Sequence, residues 1–187
     1  MSTTLIVPGL GGSGPTHWQS QWEELHSDCR RIKAIDWNFP DKDKWLDSLD
    51  ACIQDCAGPV LLAGHSLGCA LIAHWALHRN TVPILGALMV APADVDDRIT
   101  IPAEALCFAP MPLKLLPFPT MVVTSNNDIY ISPKRAQVFA TAWGADFANI
   151  GDRGHINADT HLNGWGEGWD LMQNLANSDQ SAGALKA

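Results

Sequence analysis

The stretch from Ala57 to His78 contains no Lys, Arg, Asp or Glu. A run that long without charge belongs either in a membrane or in a protein interior. Gly58, Pro59, Gly64, His65, Ser66 and Gly68 interrupt it, which a spanning helix would not tolerate well. It reads better as a strand, Val60–Gly64, a sharp turn, and a helix, Leu67–Leu77, that is apolar nearly all round. A helix with no polar face must be covered on all sides, so it has to lie against a sheet in the middle of a layered fold.

The rest of the chain repeats that alternation. Further strands are predicted at Thr4–Pro8, Arg31–Asp36, Ile84–Ala91, Thr120–Ser125 and Ala145–Ile150. Helices are predicted at Asp43–Cys56, where Trp45, Leu46, Leu49, Cys52 and Ile53 make one apolar stripe, at Pro133–Trp143 and at Gly168–Ala176. Strands alternating with helices imply an α/β fold: about six mostly parallel strands with helices on both faces. A chain of 187 residues supports one such domain, expected over residues 1–177 with a tail at 178–187. Two stretches are irregular: the glycine-rich Pro8–Thr16, and Pro92–Pro119 with its six prolines.

Twelve Lys+Arg against 20 Asp+Glu give a net charge of -8. Such a chain has no general attraction to nucleic acid or to anionic lipid, and neither is expected as a partner. The five cysteines (29, 52, 56, 69 and 107) show neither a metal-binding nor a redox spacing. They read as small reduced hydrophobes, and the start, MSTTLIVPG, lacks a secretory pattern, so a cytoplasmic location is expected.

The turn in the uncharged stretch is Gly64-His65-Ser66-Leu67-Gly68, a GxSxG match between a β run and a helix. In that setting a serine is held on a tight, strained elbow. Glycines stand where a Cβ would clash, and the hydroxyl is lifted clear of the sheet. The Leu67 N–H, at the positive end of the helix, can then face an oxyanion. A plain tight turn with a capping serine is the competing reading.

A serine nucleophile needs a base, and the base needs an acid to orient it. Asp128 follows the strand at Thr120–Ser125, and His155 follows the strand ending at Ile150. Ser66, Asp128 and His155 therefore fall in the chain order of an α/β-hydrolase, each at the carboxyl end of a strand. Rivals remain: His161 for the base, and Asp94, Asp96, Asp97 or Asp152 for the acid. His65 should point away from the site. His74 and His78 read as packing or surface residues.

Gly9-Leu10-Gly11-Gly12-Ser13-Gly14 has two readings. With Asp36 as a ribose-binding acid it matches a dinucleotide-binding loop. Pro15, inside what would be the first helical turn, speaks against that. Alternatively the loop supplies a second oxyanion donor, the Leu10 N–H.

Taken together, Ile6-Val7-Pro8-Gly9, His17-Trp18, the elbow, Leu116-Pro117-Phe118-Pro119, Ser125 with Asn127-Asp128, and Gly154-His155-Ile156-Asn157 resemble the small serine hydrolases of the retinoblastoma-binding protein 9 family. The resemblance runs to about Trp169. It implies an α/β-hydrolase core with no lid domain and Ser66, Asp128 and His155 as the triad. Ile129 and Gly166 stand where the family commonly has proline.

The expected chemistry is acyl transfer to water through an acyl-enzyme, on a small-molecule acyl substrate, with no metal and no cofactor. Each oxyanion donor would be worth about 3 kcal/mol. Eight tryptophans against one tyrosine is unusual, and Trp18 and Trp165, with His17, are expected to bind substrate. A silent interaction module on the same fold is the remaining alternative.

Overall fold

The computed structural model describes residues 2–33, 36–78 and 83–184, with side chains as far as 177. The apolar runs pair into one sheet of six parallel strands. They are β1 (Thr3–Val7), β2 (Cys29–Arg31), β3 (Val60–His65), β4 (Ile84–Val90), β5 (Thr120–Thr124) and β6 (Asp146–Asn149). The spatial order is β2-β1-β3-β4-β5-β6. The chain steps outward from β1 to β2, returns to β3, and then builds in the other direction. The order reverses between β1 and β3, so the crevice beyond their carboxyl ends is where such a sheet binds ligands.

Side chains alternate across the sheet and divide the core in two. Leu5, Val7, Leu62, Met89 and Val122 face α2 (Lys42–Gln54), α3 (Leu67–His78) and α4 (Pro133–Trp143). Ile6, Leu61, Ala63, Leu88, Val90 and Val123 face α1 (Trp18–Leu25) and α5 (Gly166–Ala184). Helix α3 is buried at every residue from Leu67 to Ala76, as its all-apolar sequence requires. It lies so close to β1 that a Cβ on Gly68 would collide with the Val7 carbonyl oxygen. Among the described residues no helix is long and apolar enough to cross a membrane.

Three elements differ from expectation. Helix α1 was not foreseen: its cap is a histidine, His17, whose Nδ1 accepts from the Gln19 N–H, and its two core tryptophans span a single turn. Strand β2 comes earlier than Arg31–Asp36 and is shorter; residues 34 and 35 of that prediction lie outside the described residues. Helix α5 begins at Gly166 and continues to Ala184, past the expected boundary at 177. Pro92–Pro119 is irregular as anticipated, with one 3-10 turn at Ala103–Phe108. No disulfide forms, and Cys107 is exposed.

Candidate active site

Ser66 sits between β3 and α3 with φ at +54°, a left-handed conformation that costs a non-glycine residue energy. Its backbone is pinned on both sides. The N–H donates to Val90 O at 3.0 Å, and the carbonyl accepts from Cys69 N at 3.0 Å. The loop after β1 closes on this elbow: a Cβ at Gly9 would lie 2.9 Å from Ser66 Cβ and 3.1 Å from Leu67 N. That approach places two amides beside the serine. Among the described residues the Leu10 N–H donates to no protein acceptor. Leu67 opens α3, and the N–H of a first helical residue has no partner within the helix.

His155 reaches the same place from the loop after β6. Ser66 Oγ lies 2.8 Å from His155 Nε2, and His155 Nδ1 lies 2.8 and 3.0 Å from the two Asp128 oxygens. The Asp128 side chain is fully buried. Its carboxylate also accepts the Tyr130 N–H at 2.8 Å. The network sets the tautomer: Nδ1–H donates to the carboxylate, which leaves Nε2 to accept the serine proton. Hydroxyl, imidazole and carboxylate are thus joined in series.

The rival residues are engaged elsewhere. Asp94 receives a two-pronged pair of bonds from Arg135 at 2.9 and 3.1 Å, and Asp96 receives a third at 2.9 Å. Asp97 closes its own turn onto Ile99 N and Thr100. Asp152 accepts from Asn126. His161 is exposed, and the His74 ring is buried against the Phe108 carbonyl at 2.7 Å.

Ser66, Leu67 and Leu10 line a cavity of about 300 Å³ together with His17, His65, His155 and Tyr130. Ala93, Ile101, Pro102, Ala105 and Ala158 give it an apolar wall, and among the described residues no Lys, Arg, Asp or Glu lines it. His17 does reach the cavity, but Trp18 and Trp165 do not. They are buried in the second core layer with ring centroids 5.1 Å apart, and the Trp18 indole N–H is spent on the Ile156 carbonyl at 2.9 Å. The expectation that they bind substrate is therefore corrected.

The placement of His65 is corrected as well. It points away from Ser66 along the strand, yet it lines the cavity between the rings of His17 and His155, at 4.6 and 4.9 Å. Burial, with smaller contributions from His17 and His155, pushes its pKa well below that of a free imidazole. Burial, then the charges of Arg31 and His155, pushes His17 down to about 3. Both rings are therefore uncharged at neutral pH.

The glycine loop is shaped for the elbow rather than for a dinucleotide. No helix opens at Gly14; α1 starts only at Trp18. The Arg31 guanidinium donates to the carbonyls of Gly12 and Ser13. The Asp36 carboxylate is occupied by the N–H groups of Asn38 and Phe39. Among the described residues no cluster of His, Cys, Asp or Glu is placed to hold a metal ion.

A YdeN-like hydrolase from Pectobacterium atrosepticum is similar at 31% identity and a TM-score of 0.84, over 95% of this chain and 91% of that one. The ydeN gene product of B. subtilis shares the fold at 17% identity and a TM-score of 0.74, over 94% and 98%. A monoacylglycerol lipase from Paleococcus ferrophilus shares it at 12% and 0.68, over 93% of each chain. No curated protein matches the sequence. The family model described as "Serine hydrolase" matches residues 4–174, so a sheet, an elbow and a cavity built in this way place the chain in the serine hydrolase family.

Proposed function

We propose that this protein hydrolyses esters of small, uncharged carboxylic acids. The reading is carried by one observation: the unbroken series from Asp128 through His155 to Ser66, with contacts of 2.8 Å, opening into a cavity that no Lys, Arg, Asp or Glu among the described residues lines. His155 takes the serine proton as Oγ attacks the acyl carbon. Asp128 holds the ring and stabilises the imidazolium. The N–H groups of Leu10 and Leu67 receive the tetrahedral oxygen. His155 then returns the proton to the leaving alkoxide, and in the second half-reaction it deprotonates the water that releases the acid. No step calls for a metal or an organic cofactor.

The cavity's size supports the substrate class. A volume near 300 Å³ holds about ten atoms of water size, enough for a short acyl group and part of its alcohol. Burying a carboxylate or ammonium against this wall would be costly, with no opposite charge to offset it. The retinoblastoma-binding protein 9 group is the subfamily we assign, on Gly154-His155-Ile156-Asn157 and Leu116-Pro117-Phe118-Pro119. A cytoplasmic location completes the reading, resting on five cysteines that form no disulfide.

The test pairs a fluorophosphonate probe with a series of p-nitrophenyl esters. Covalent labelling of wild type, lost in Ser66→Ala and His155→Ala, is expected, with acetate and butyrate preferred over decanoate and over a succinate half-ester. An unlabelled wild type would overturn the acyl-enzyme reading. A preference for the long or the charged acyl group would overturn the substrate class.

A further inference from the structure

His155 is flanked by two residues in the left-handed region, Gly154 at φ +52° and Ile156 at +49°. Isoleucine is β-branched, and that conformation is a true outlier for it. Such a turn persists only where its surroundings over-determine it. The contacts that do so are visible. Three consecutive carbonyls each accept a side-chain hydrogen bond from a different part of the fold. Ser125, just beyond β5, donates to Gly154 O at 2.7 Å. His65, at the end of β3, donates to His155 O at 2.9 Å. Trp18, at the start of α1, donates to Ile156 O at 2.9 Å.

The middle bond differs from the others because of where its donor sits. His65 is covalently next to Ser66, and it grips the main chain of the residue whose side chain must meet Ser66 Oγ. A carbonyl can only accept, so the proton of the His65 ring is on Nε2. The ring is buried and wedged between His17 and His155, so it cannot swing away from that carbonyl.

We infer that His65 is a positioning residue. Its Nε2–H ties the His155 main chain to the nucleophile elbow and so fixes the distance between base and serine. The inference rests on the reading of Ser66 and His155 above, and it adds a role for a side chain whose hydrogen bond goes to the main chain of His155 rather than to Ser66 Oγ, the His155 ring or Asp128.

The test compares wild type with His65→Leu, which removes the donor, and His65→Gln, whose side-chain amide can replace it. Two readouts are used on protein shown by thermal melting to be folded. The first is kinetic. In His65→Leu, kcat and the rate of fluorophosphonate labelling are expected to fall by about 10–100-fold, because an ångström of misplacement has that effect, with KM within about twofold. His65→Gln should recover most of the loss. The second readout needs no activity: the low-field NMR signal of the His155 Nδ1 proton, held by Asp128. It should be sharp in wild type, broadened by exchange in His65→Leu, and restored in His65→Gln. A folded His65→Leu with both the labelling rate and the proton signal of wild type would overturn the inference. If wild type itself does not label, the acyl-enzyme reading fails, and the proton signal alone decides whether His65 holds His155.

Discussion

His17 gives the fold an acid weakness whose size follows from its position. A free imidazole titrates at 6.5, whereas burial, with Arg31 and His155 adding to it, holds His17 at about 3. Between those values the unfolded chain binds a proton that the folded chain refuses. Unfolding is therefore favoured as pH falls through 6.5, and the loss stops growing below about 3. Each pH unit in that window is worth about 1.36 kcal/mol, so lowering the pH from 6.5 to 5 removes about 2 kcal/mol through His17 alone. That is a large share of a typical domain's 5–15 kcal/mol. The informative variant is His17→Asn. Asparagine does not titrate here, and its side-chain oxygen can keep capping α1 where Nδ1 accepts the Gln19 N–H. Arg31, His65 and His155, which face His17, are all retained. Urea unfolding at pH 7.5 and at pH 5 measures the effect. Wild type should lose about 2 kcal/mol more than His17→Asn over that interval. Equal losses in the two proteins would refute the argument, because they would mean that His17 takes up its proton in the folded state too.

The remaining expectations concern the site and its frame. Turnover of p-nitrophenyl acetate should drop by about 10⁶ in Ser66→Ala and about 10⁴ in Asp128→Asn. Asp94→Asn should keep a rate near that of wild type while melting at a lower temperature, because its carboxylate serves Arg135. In Gly68→Ala the new methyl group meets the Val7 carbonyl, so calorimetry should show a loss of about 1–3 kcal/mol or more, and the displaced elbow should lower kcat as well. Arg31→Met would free the carbonyls of Gly12 and Ser13. If the glycine loop then no longer presents the Leu10 N–H, kcat falls by about 10² with KM little changed.

The centre of the fold was legible because its constraints are local. A run of Val60-Leu61-Leu62-Ala63, two glycines around Ser66 and an all-apolar helix can satisfy one another in few ways, and β3, the elbow and α3 follow within a residue. The order of Ser66, Asp128 and His155 was legible for a related reason, since a parallel sheet delivers each strand's following loop to the same rim. The edges of the sheet were less so. Strand β2 pairs through only three residues, and two of them are arginines, so neither its length nor its hydropathy marks it. Helix α1 begins on a histidine cap, and its short pattern resembles a loop carrying two tryptophans.

The misplaced side chains share a cause. Alternation along β3 puts His65 on the face of Leu61 and Ala63, away from Ser66, and to that extent the expectation holds. What the sequence does not show is that α1 and the loop after β6 come round to that same face, so that pointing away from the serine means pointing at the backbone of the base. Trp18 follows the same logic. Its place in the chain, just after the glycine loop, suggests a pocket wall, but its indole N–H needs an acceptor once buried, and the acceptor is a carbonyl 138 residues away. Chain order reveals which side chains a site can gather. The main-chain groups that hold them there are fixed by turns such as Gly154–Ile156, whose left-handed conformations leave little trace in residue type. A site of this kind is therefore read from sequence as three side chains, although much of its precision lies in the carbonyls behind them.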